Sequence, residues 1–154
     1  MRVARVMAPK VIRLDDAPTP SPKPGEALVR ITAIGICGSD LQYYTQGRIG
    51  ELEFGAGHIM GHEIAGVVEA LAPGTEGPPP GTPVVVDPAI ACGRCRFCLA
   101  GNPNFCETLR FVSSPPYPGA LQEYLAHPAS FLLPVPPDWS PATTAMLEPL
   151  GVAL

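Results

Sequence analysis

The sequence predicts a mainly β domain with few short helices, and three features of its composition support this prediction. The 154 residues include 21 prolines and 16 glycines. They leave little room for long helices, because an interior proline removes a backbone donor and clashes with the preceding turn. The prolines stand in short groups between apolar runs rich in β-branched residues, which is typical of strands joined by turns. With 46% hydrophobic and 16% charged residues, the chain is expected to fold, and its length suits one domain.

Seven short segments have the composition of strands. The clearest is Glu26–Ile36, whose apolar and polar residues alternate well enough for a half-buried strand. In chain order, the predicted strands are Arg2–Val6, Pro9–Leu14, Glu26–Ile36, Glu63–Leu71, Val84–Val86, Leu121–Leu125 and Phe131–Val135.

The segments between these strands are rich in proline and glycine, and two of the remaining segments suit short helices. The predicted irregular connections are Asp15–Gly25, Gly47–Met60 and Pro73–Pro83. One or two helical turns are expected in Ser39–Thr45. A second helix is expected to follow Ser140, since serine caps a helix and the next residue, a proline, fits its first position. It should run to Leu147 and be kinked or broken at Pro149.

The charge and the lengths of the apolar stretches argue against nucleic acid and membranes as partners. The net charge is -4 and no basic run is present, so nucleic acid is not expected as a partner. No apolar stretch reaches the roughly 18 residues that a membrane helix needs. The N-terminus carries Arg2 and Arg5 where a signal peptide needs an apolar core. These features predict a cytoplasmic protein that does not bind a membrane.

Four cysteines form a compact motif in a small lobe of about residues 90–107, here called the lobe. Cys92, Cys95, Cys98 and Cys106 have the spacing C-x2-C-x2-C-x7-C, and two thiolates separated by two residues can reach one metal ion from a tight turn. Four thiolates make a closed tetrahedral site, so we predict a structural zinc that takes no part in chemistry. Disulfides are not expected in a cytoplasmic protein. In a ferredoxin iron–sulfur motif the fourth cysteine would follow after three residues instead of seven.

The remaining cysteine, Cys37, belongs to a second candidate site. It follows a predicted strand between two glycines, and His62 and Glu63 open another strand after a glycine-rich loop. Glu148 is an acid in an apolar neighbourhood, where a carboxylate needs solvent or a partner. Cysteine, histidine and glutamate with one water make the ligand set of a catalytic zinc, although a lone cysteine is more often a small buried side chain. The other histidines, His58 and His127, are predicted to be structural.

Four motifs together resemble the zinc-dependent medium-chain alcohol dehydrogenases. They are Gly35–Leu41 (GICGSDL), Gly61–Gly66 (GHEIAG), the four-cysteine motif and Leu147–Leu150 (LEPL), in the order and spacing of that family. Glu148 stands where classical members carry a cysteine, and this is similar to the polyol branch of sorbitol, xylitol and idonate dehydrogenases. The resemblance implies a GroES-like fold, which is a curved and partly open β-barrel, and a small-molecule alcohol or polyol as substrate.

The resemblance also implies roles for the residues of the second site. In this family, zinc binds the alcohol oxygen and lowers its pKa, and a hydride passes to a nicotinamide. Cys37 and His62 would bind the zinc, with Glu148 as the third ligand or as the residue that holds the zinc's water. Glu63 resembles an exchangeable zinc ligand or, equally, an acid that orients the site. Asp40 matches the carboxylate that hydrogen-bonds the zinc-binding histidine and fixes its tautomer.

Three further positions concern the substrate and its proton. Ser39 would pass the alcohol's proton onward or position the substrate. Tyr43 could line the substrate pocket, although an aromatic residue at this point often only packs. Gln42 stands where the family commonly has a histidine of the proton relay, and its amide does not titrate near neutral pH.

The chain lacks the sequence of a dinucleotide-binding domain. The resembling dehydrogenases are about twice as long, with a Rossmann domain after the segment matched here by residues 147–154. The string Gly55–Gly57 lacks the third glycine of a G-x-G-x-x-G motif, and no predicted helix follows it. We therefore expect residues 1–154 to form the catalytic domain alone, with NAD(P) bound only when the missing domain is present.

Two functions follow from these observations. In the first, the chain is the catalytic portion of a dehydrogenase whose cofactor domain is truncated or encoded elsewhere. In the second, it is a stand-alone zinc-binding β-domain with a structural or partner-binding role. We favour the first and expect that the chain alone does not oxidise alcohols. Apolar surface around Met146–Leu154 should then be exposed, so self-association is also expected.

Overall fold

Short strands make up most of the regular structure, as the proline and glycine content predicts. The computed structural model describes all residues from 1 to 154. The strands are β1 (Arg2–Ala8), β2 (Val11–Asp16), β3 (Glu26–Gly35), β4 (Arg48–Ile49), β5 (Leu52–Glu53), β6 (Glu63–Leu71), β7 (Pro83–Val86), β8 (Ala89–Ile90), β9 (Arg110–Phe111), β10 (Tyr124–Pro128) and β11 (Leu132–Pro134). The helices are α1 (Gly38–Gln46), α2 (Arg96–Leu99), α3 (Pro141–Ala145) and α4 (Leu147–Ala153), with 3₁₀ turns at Pro103–Phe105 and Ala129–Phe131.

A five-stranded antiparallel sheet forms the centre of the fold. Its strand order is β10-β3-β6-β7-β11, and the pairs β1-β2, β4-β5 and β8-β9 form smaller sheets. The register between β3 and β6 shifts at Leu28/Val29 and at Ile31/Ala33, and such bulges bend the strand that contains them. Because β10 and β11 remain free edges of the main sheet, the strands do not close into a barrel.

Two groups of buried side chains hold these elements together. The main core lies on the five-stranded sheet and is centred on fully buried residues such as Val29, Ile64 and Val86. A smaller cluster of Val6, Tyr43 and Met60 joins β1 to α1. Isolated bridges from Val3 to Gln122 and from Val6 to His58 also tie β1 to the rest of the chain. The first hairpin is therefore fixed beside the helix that follows β3.

The predicted strands are confirmed with small shifts in their bounds, except for one displacement. Strand β6 has the predicted bounds Glu63–Leu71, whereas the strand expected at Leu121–Leu125 begins only at Tyr124. The reason is that Leu121 uses its amide to bind the Met60 carbonyl and its carbonyl to accept from the amide of Ala4. These bonds go to loops and to β1, so they cannot extend the ladder of β10.

The C-terminal helical region breaks earlier than the sequence predicts. Ser140 caps α3 as expected, with its hydroxyl accepting a hydrogen bond of 3.0 Å from the amide of Thr143. The helix ends at Ala145 instead of Leu147, and α4 then begins at Leu147. Pro149 lies in the first turn of α4, where no amide donor is needed, whereas a continuous helix would push its ring against the carbonyl of Ala145. The break therefore precedes the proline.

Apolar side chains of the last residues are exposed, as predicted. Met146, Leu150, Val152 and Leu154 are each at least half exposed. The self-association expected from this surface stays a prediction. None of the helices combines the length and the apolar character that a membrane span needs.

His127 is a structural residue in the main sheet, as predicted. It is 1% exposed, and its Nε2 lies 2.9 Å from the carbonyl oxygen of Asp87. The ring also meets Phe131 edge to face. Burial lowers the pKa of His127 to about 4, although the hydrogen bond with Asp87 opposes this shift. The neutral ring therefore holds β10 to the segment that follows β7.

This burial predicts a specific loss of stability in mild acid. Between a pH of about 6.5, the unfolded value, and about 4, the unfolded chain binds more protons than the folded chain, so stability falls as the pH falls. From pH 7 to pH 5, the wild-type free energy of unfolding should fall by about 2 kcal/mol more than that of His127→Gln. Urea titrations of both zinc-loaded proteins measure this difference. Parallel pH profiles would contradict it.

Candidate active site and metal centres

The antiparallel pairing of β3 and β6 brings Cys37 next to His62 and Glu63. Glu63 opens β6 opposite Gly35, the last residue of β3, and Cys37 follows two residues later as the N-cap of α1. The ligand atoms of Cys37, His62 and Glu63 all lie within 4.8 Å of one another. His62 and Glu63 are buried and Cys37 is half-buried. Residues separated by some 25 positions in the sequence thus form one cluster.

A buried carboxylate, that of Asp40, binds both loops of this cluster. Asp40 Oδ2 accepts a hydrogen bond of 3.1 Å from the amide of Cys37, and Oδ1 accepts one of 3.1 Å from the amide of Gly61. Asp40 is 1% exposed. Its Oδ1 also lies 4.0 Å from Nδ1 of His62, which is longer than a hydrogen bond. Asp40 therefore positions the backbone on both sides of the cluster, and the hydrogen bond to His62 that the resemblance implies is not formed.

The atoms of the cluster suit a zinc ion. A thiolate sulfur, an imidazole nitrogen and a carboxylate oxygen are the donor types of catalytic zinc sites, which keep one position open. Their mutual separations of at most 4.8 Å allow all three to approach one ion at ordinary ligand distances of about 2.0–2.3 Å. The residues that are present therefore fit the metal that their types predict.

Glu148 lies near this cluster without belonging to it. It is the second residue of α4 and is not among the three residues whose ligand atoms lie within 4.8 Å of one another. Burial raises the pKa of Glu148, the carboxylates of Glu63 and Asp87 raise it further, and His62 opposes the shift. The side chain thus stands within electrostatic reach of the cluster, on the helix that follows the break at Met146.

A cavity of about 410 Å³ opens beside Glu148. Its wall includes Asp87, Phe111 and Leu147 as well as Val85 and Val86 of β7. The ring of Phe111 packs against His62 with a centroid distance of 5.3 Å and an interplanar angle of 61°. The size is that of a small-molecule site, and the wall is mainly apolar.

The other residues predicted for this site lie on α1 or pack behind it. Ser39 is half-buried in the first turn of α1. Tyr43 is 4% exposed and packs in the smaller core, with its ring edge-on to Phe54 at 5.9 Å. This is the packing role that the sequence left open, and a contact between Tyr43 and substrate stays a prediction. His58 binds the carbonyl of Ser113 at 3.0 Å and stays outside the cluster.

Two residues of the site were missed by the sequence analysis. A Cβ atom on Gly35 would overlap Oε2 of Glu63 and lie 2.9 Å from its Cδ, so only glycine leaves room for this carboxylate. A glycine inside a strand pattern often marks such a close approach, and that signal was available. Phe111 packs on His62 from β9, about 50 positions along the chain, and no local pattern in the sequence indicates this contact.

The four cysteines of the lobe form the second metal centre. Their sulfurs all lie within 4.8 Å of one another, with Sγ separations of 3.5 Å for Cys95–Cys98 and 4.0 Å for Cys92–Cys98. Four sulfurs at about 2.3 Å from one tetrahedral zinc are about 3.8 Å apart, so the arrangement fits zinc. All four cysteines are free of disulfides. Hydrogen bonds from the backbone of Arg94 and Cys95 lower the pKa of Cys92 to about 6, which favours its thiolate.

The lobe has almost no hydrophobic core of its own. Helix α2 and the 3₁₀ turn at Pro103–Phe105 contain no buried residue, and Leu99 and Phe105 are well exposed. Its other internal contacts include an Arg96–Glu107 ion pair of 2.9 Å, Arg96 stacked over Phe97 at 4.6 Å, and the tilted rings of Phe97 and Phe105 with centroids 6.0 Å apart. Exposed ion pairs contribute little to stability. The four sulfurs are therefore the main connection between the segments of the lobe.

Comparison with known proteins identifies the family of the chain. The family model of the alcohol dehydrogenase GroES-like domain matches residues 23–137. The L-arabinitol 4-dehydrogenase of Talaromyces emersonii is 45% identical over 132 residues, which are 86% of this chain and 34% of that protein. The sorbitol dehydrogenase of Bacillus subtilis strain 168 is 35% identical over 154 residues, which are 100% of this chain and 44% of that protein.

A solved structure agrees with these relatives. A short chain alcohol dehydrogenase from Escherichia coli CFT073, complexed with the cofactor NADH, has a TM-score of 0.87 and 31% identity, over 99% of this chain and 43% of that one. The chain thus spans between a third and a half of the length of the relatives it matches. The GroES-like fold that its motifs imply is confirmed. The chain belongs to the alcohol dehydrogenase GroES-like domain family, and its relatives include polyol dehydrogenases.

Proposed function

We propose that residues 1–154 are the catalytic domain of a zinc-dependent dehydrogenase that oxidises a secondary alcohol of a polyol, with NAD(P) as hydride acceptor. The observation that carries this proposal is the cluster of Cys37, His62 and Glu63 within 4.8 Å, beside which Glu148 and a cavity of about 410 Å³ lie. A polyol substrate is supported by relatives named for L-arabinitol and sorbitol.

The ligand residues of the catalytic centre follow from the cluster. Cys37 and His62 would hold the zinc, and Glu63 or Glu148 would provide the oxygen ligand. Bound zinc supplies a Lewis acid that makes a substrate hydroxyl easier to deprotonate. Asp40 keeps the two ligand loops together through the amides of Cys37 and Gly61. The packed ring of Phe111 limits how far His62 can rotate.

Three side chains of α1 concern the proton and the substrate. The reaction removes a hydride from the carbinol carbon and a proton from its hydroxyl, and the hydride passes to the nicotinamide. Ser39, two positions after Cys37, would receive that proton and pass it to solvent, or would position the substrate. Gln42 is exposed on the same helix, and because an amide does not titrate near neutral pH, the relay continues through water. Tyr43, which packs in the smaller core, would form part of the wall of the substrate pocket.

The four-cysteine lobe would hold a structural zinc. Four thiolates complete a tetrahedral shell and leave no position for substrate. Since the lobe contains so little buried apolar surface, the ion would contribute most of its stability, as in small metal-dependent domains. The same centre would have no direct part in the oxidation.

Hydride transfer requires a nicotinamide site, and we propose that this site lies outside residues 1–154. Each paired strand runs antiparallel to its neighbour, whereas a dinucleotide fold is built from parallel βαβ units. We therefore assign NAD(P) binding to a separate domain and expect no turnover by residues 1–154 alone. A stand-alone zinc-binding β-domain is the alternative. Cytoplasmic location stays a prediction.

The two centres should lose metal independently. Cys37→Ala should abolish zinc binding at the β3–β6 cluster and leave the lobe loaded, whereas Cys95→Ala should empty the lobe and lower thermal stability. The cluster centre should also yield its zinc first to a mild chelator, because an open site binds less securely than a closed one. Elemental analysis of each purified protein before and after the chelator measures the zinc content, and thermal unfolding measures the stability. A wild-type chain without zinc, or Cys37→Ala with unchanged zinc, would refute the assignment.

Gly35→Ala should weaken the cluster centre without unfolding the chain. The added methyl group collides with the carboxylate of Glu63, so that side chain must leave its position. Displacing a group that orients a metal site costs about 10- to 100-fold in metal affinity. Gly38→Ala is the matched control, since Gly38 also lies within two residues of Cys37 but its added methyl group meets nothing within 4 Å. Competition with a chelator gives both affinities, and equal values for the two variants would contradict the expected displacement.

The dehydrogenase proposal is tested by fusing the chain to a cofactor-binding domain. The chain alone should not reduce NAD(P) with sorbitol or L-arabinitol. A fusion to the remainder of the Bacillus subtilis sorbitol dehydrogenase should do so, and Cys37→Ala should abolish that activity. Turnover by the chain alone would overturn the domain assignment. A folded, zinc-loaded fusion that binds NADH but oxidises no polyol would favour the stand-alone zinc-binding domain.

A further inference from the structure

A second concave pocket lies between the four-cysteine lobe and the main sheet, apart from the cavity beside Glu148. Its volume is about 500 Å³, which is within the range of small-ligand sites. Arg94, from the turn between Cys92 and Cys95, and Arg110, from β9, both line it. Thr108 and Tyr117 bring hydroxyl groups, and Ile90 and Phe131 are among its apolar wall residues. No carboxylate is among its lining residues.

The two guanidinium groups of this pocket have no acidic partner. Five other arginines of the chain lie within 4.0 Å of a carboxylate: Arg2, Arg5, Arg13, Arg30 and Arg96. Neither Arg94 nor Arg110 is in such a pair. Glu26 lines a smaller neighbouring cavity together with Arg110, but its Oε2 accepts a hydrogen bond from the amide of Lys23. In a chain of net charge -4, two unpaired arginines on one carboxylate-free pocket are an uncommon concentration of positive charge.

We propose that this pocket, here called the lobe pocket, binds the phosphate group of a small phosphorylated molecule. Guanidinium groups bind phosphate through paired N–H donors, and such charge-assisted bonds are stronger than neutral ones. The hydroxyl of Tyr117 adds a donor of variable direction, whereas that of Thr108 lies 3.8 Å from the sulfur of Cys106. The ring of Phe131 and the side chain of Ile90 offer an apolar wall for the remainder of the molecule. The site is separate from the alcohol site, and the proposal does not depend on the dehydrogenase function.

A competing explanation is that the arginines only balance the negative charge of the cysteine sulfurs. Cys92 does line the lobe pocket, and Arg94 follows it by two residues. Charge balance alone would make both arginines necessary for zinc retention in the lobe, and it predicts no binding of phosphate. Ligand binding predicts that phosphate binds and that the lobe keeps its zinc when either arginine is replaced. Measurements of zinc content and phosphate affinity therefore separate the two explanations.

The test is calorimetric titration of the zinc-loaded chain with inorganic phosphate, with chloride keeping the ionic strength constant. Wild-type protein should bind phosphate with saturation. Arg94→Gln and Arg110→Gln should each weaken the affinity about ten-fold or more, since each removes a charged hydrogen-bonding partner, while the zinc content stays unchanged. Arg48→Gln is the matched control, because Arg48 is exposed on β4, lacks an ion pair and does not line the lobe pocket. Its affinity should equal that of the wild type.

Two further titrations test where phosphate binds and whether a phosphorylated small molecule binds through its phosphate group. Cys37→Ser should bind phosphate normally, because the lobe pocket does not include the β3–β6 cluster. Glycerol 3-phosphate should bind at least as tightly as inorganic phosphate, whereas glycerol should not bind. The proposal fails if wild-type protein shows no saturable binding, if Arg48→Gln weakens it as much as Arg94→Gln, if binding disappears in Cys37→Ser, or if both pocket variants lose zinc but keep phosphate affinity.

Discussion

The buried carboxylate of Asp40 is the constraint on which the arrangement at the β3–β6 cluster depends. Its two oxygens accept backbone hydrogen bonds from the loop that carries Cys37 and from the loop that carries His62. Backbone amides cannot rotate away as side chains can, so one residue sets the separation of two segments about 25 positions apart. A buried carboxylate is costly unless its oxygens are satisfied, and here the donors that satisfy it are also those that it positions. Replacement of Asp40 would therefore release both loops at once.

The two metal centres relate differently to the fold. The cluster is built from the ends of two central strands, and residues of the main core lie on those strands. The lobe lies outside that core, and few contacts other than its four sulfurs link its segments. In the cluster, two paired strands position the side chains, whereas in the lobe the four cysteines connect segments that share little core. This difference agrees with the catalytic and structural roles proposed for them.

The sequence was sufficient wherever a local pattern decides the structure. The strand-like composition of Glu63–Leu71, the cap at Ser140 and the cysteine spacing all led to the observed element or cluster. The sequence was insufficient where contacts with residues far along the chain decide the structure. Leu121 binds the loop at Met60 instead of extending β10, and Phe111 reaches His62 from another sheet. The bond between Asp40 and the amide of Gly61 likewise depends on how two loops meet. No periodicity in one segment encodes such contacts.

The exposure of Leu99 and Phe105 in the lobe has a consequence for how the chain opens. A segment whose apolar side chains already face water adds little new surface when it unfolds locally, so its opening has a small denaturant slope and a small heat-capacity change. Local opening of residues 92–106 would be governed by the free metal concentration and by the thiol redox state more than by temperature or urea. Amide exchange and proteolysis in the lobe would then respond to zinc buffering while the five-stranded sheet stays protected.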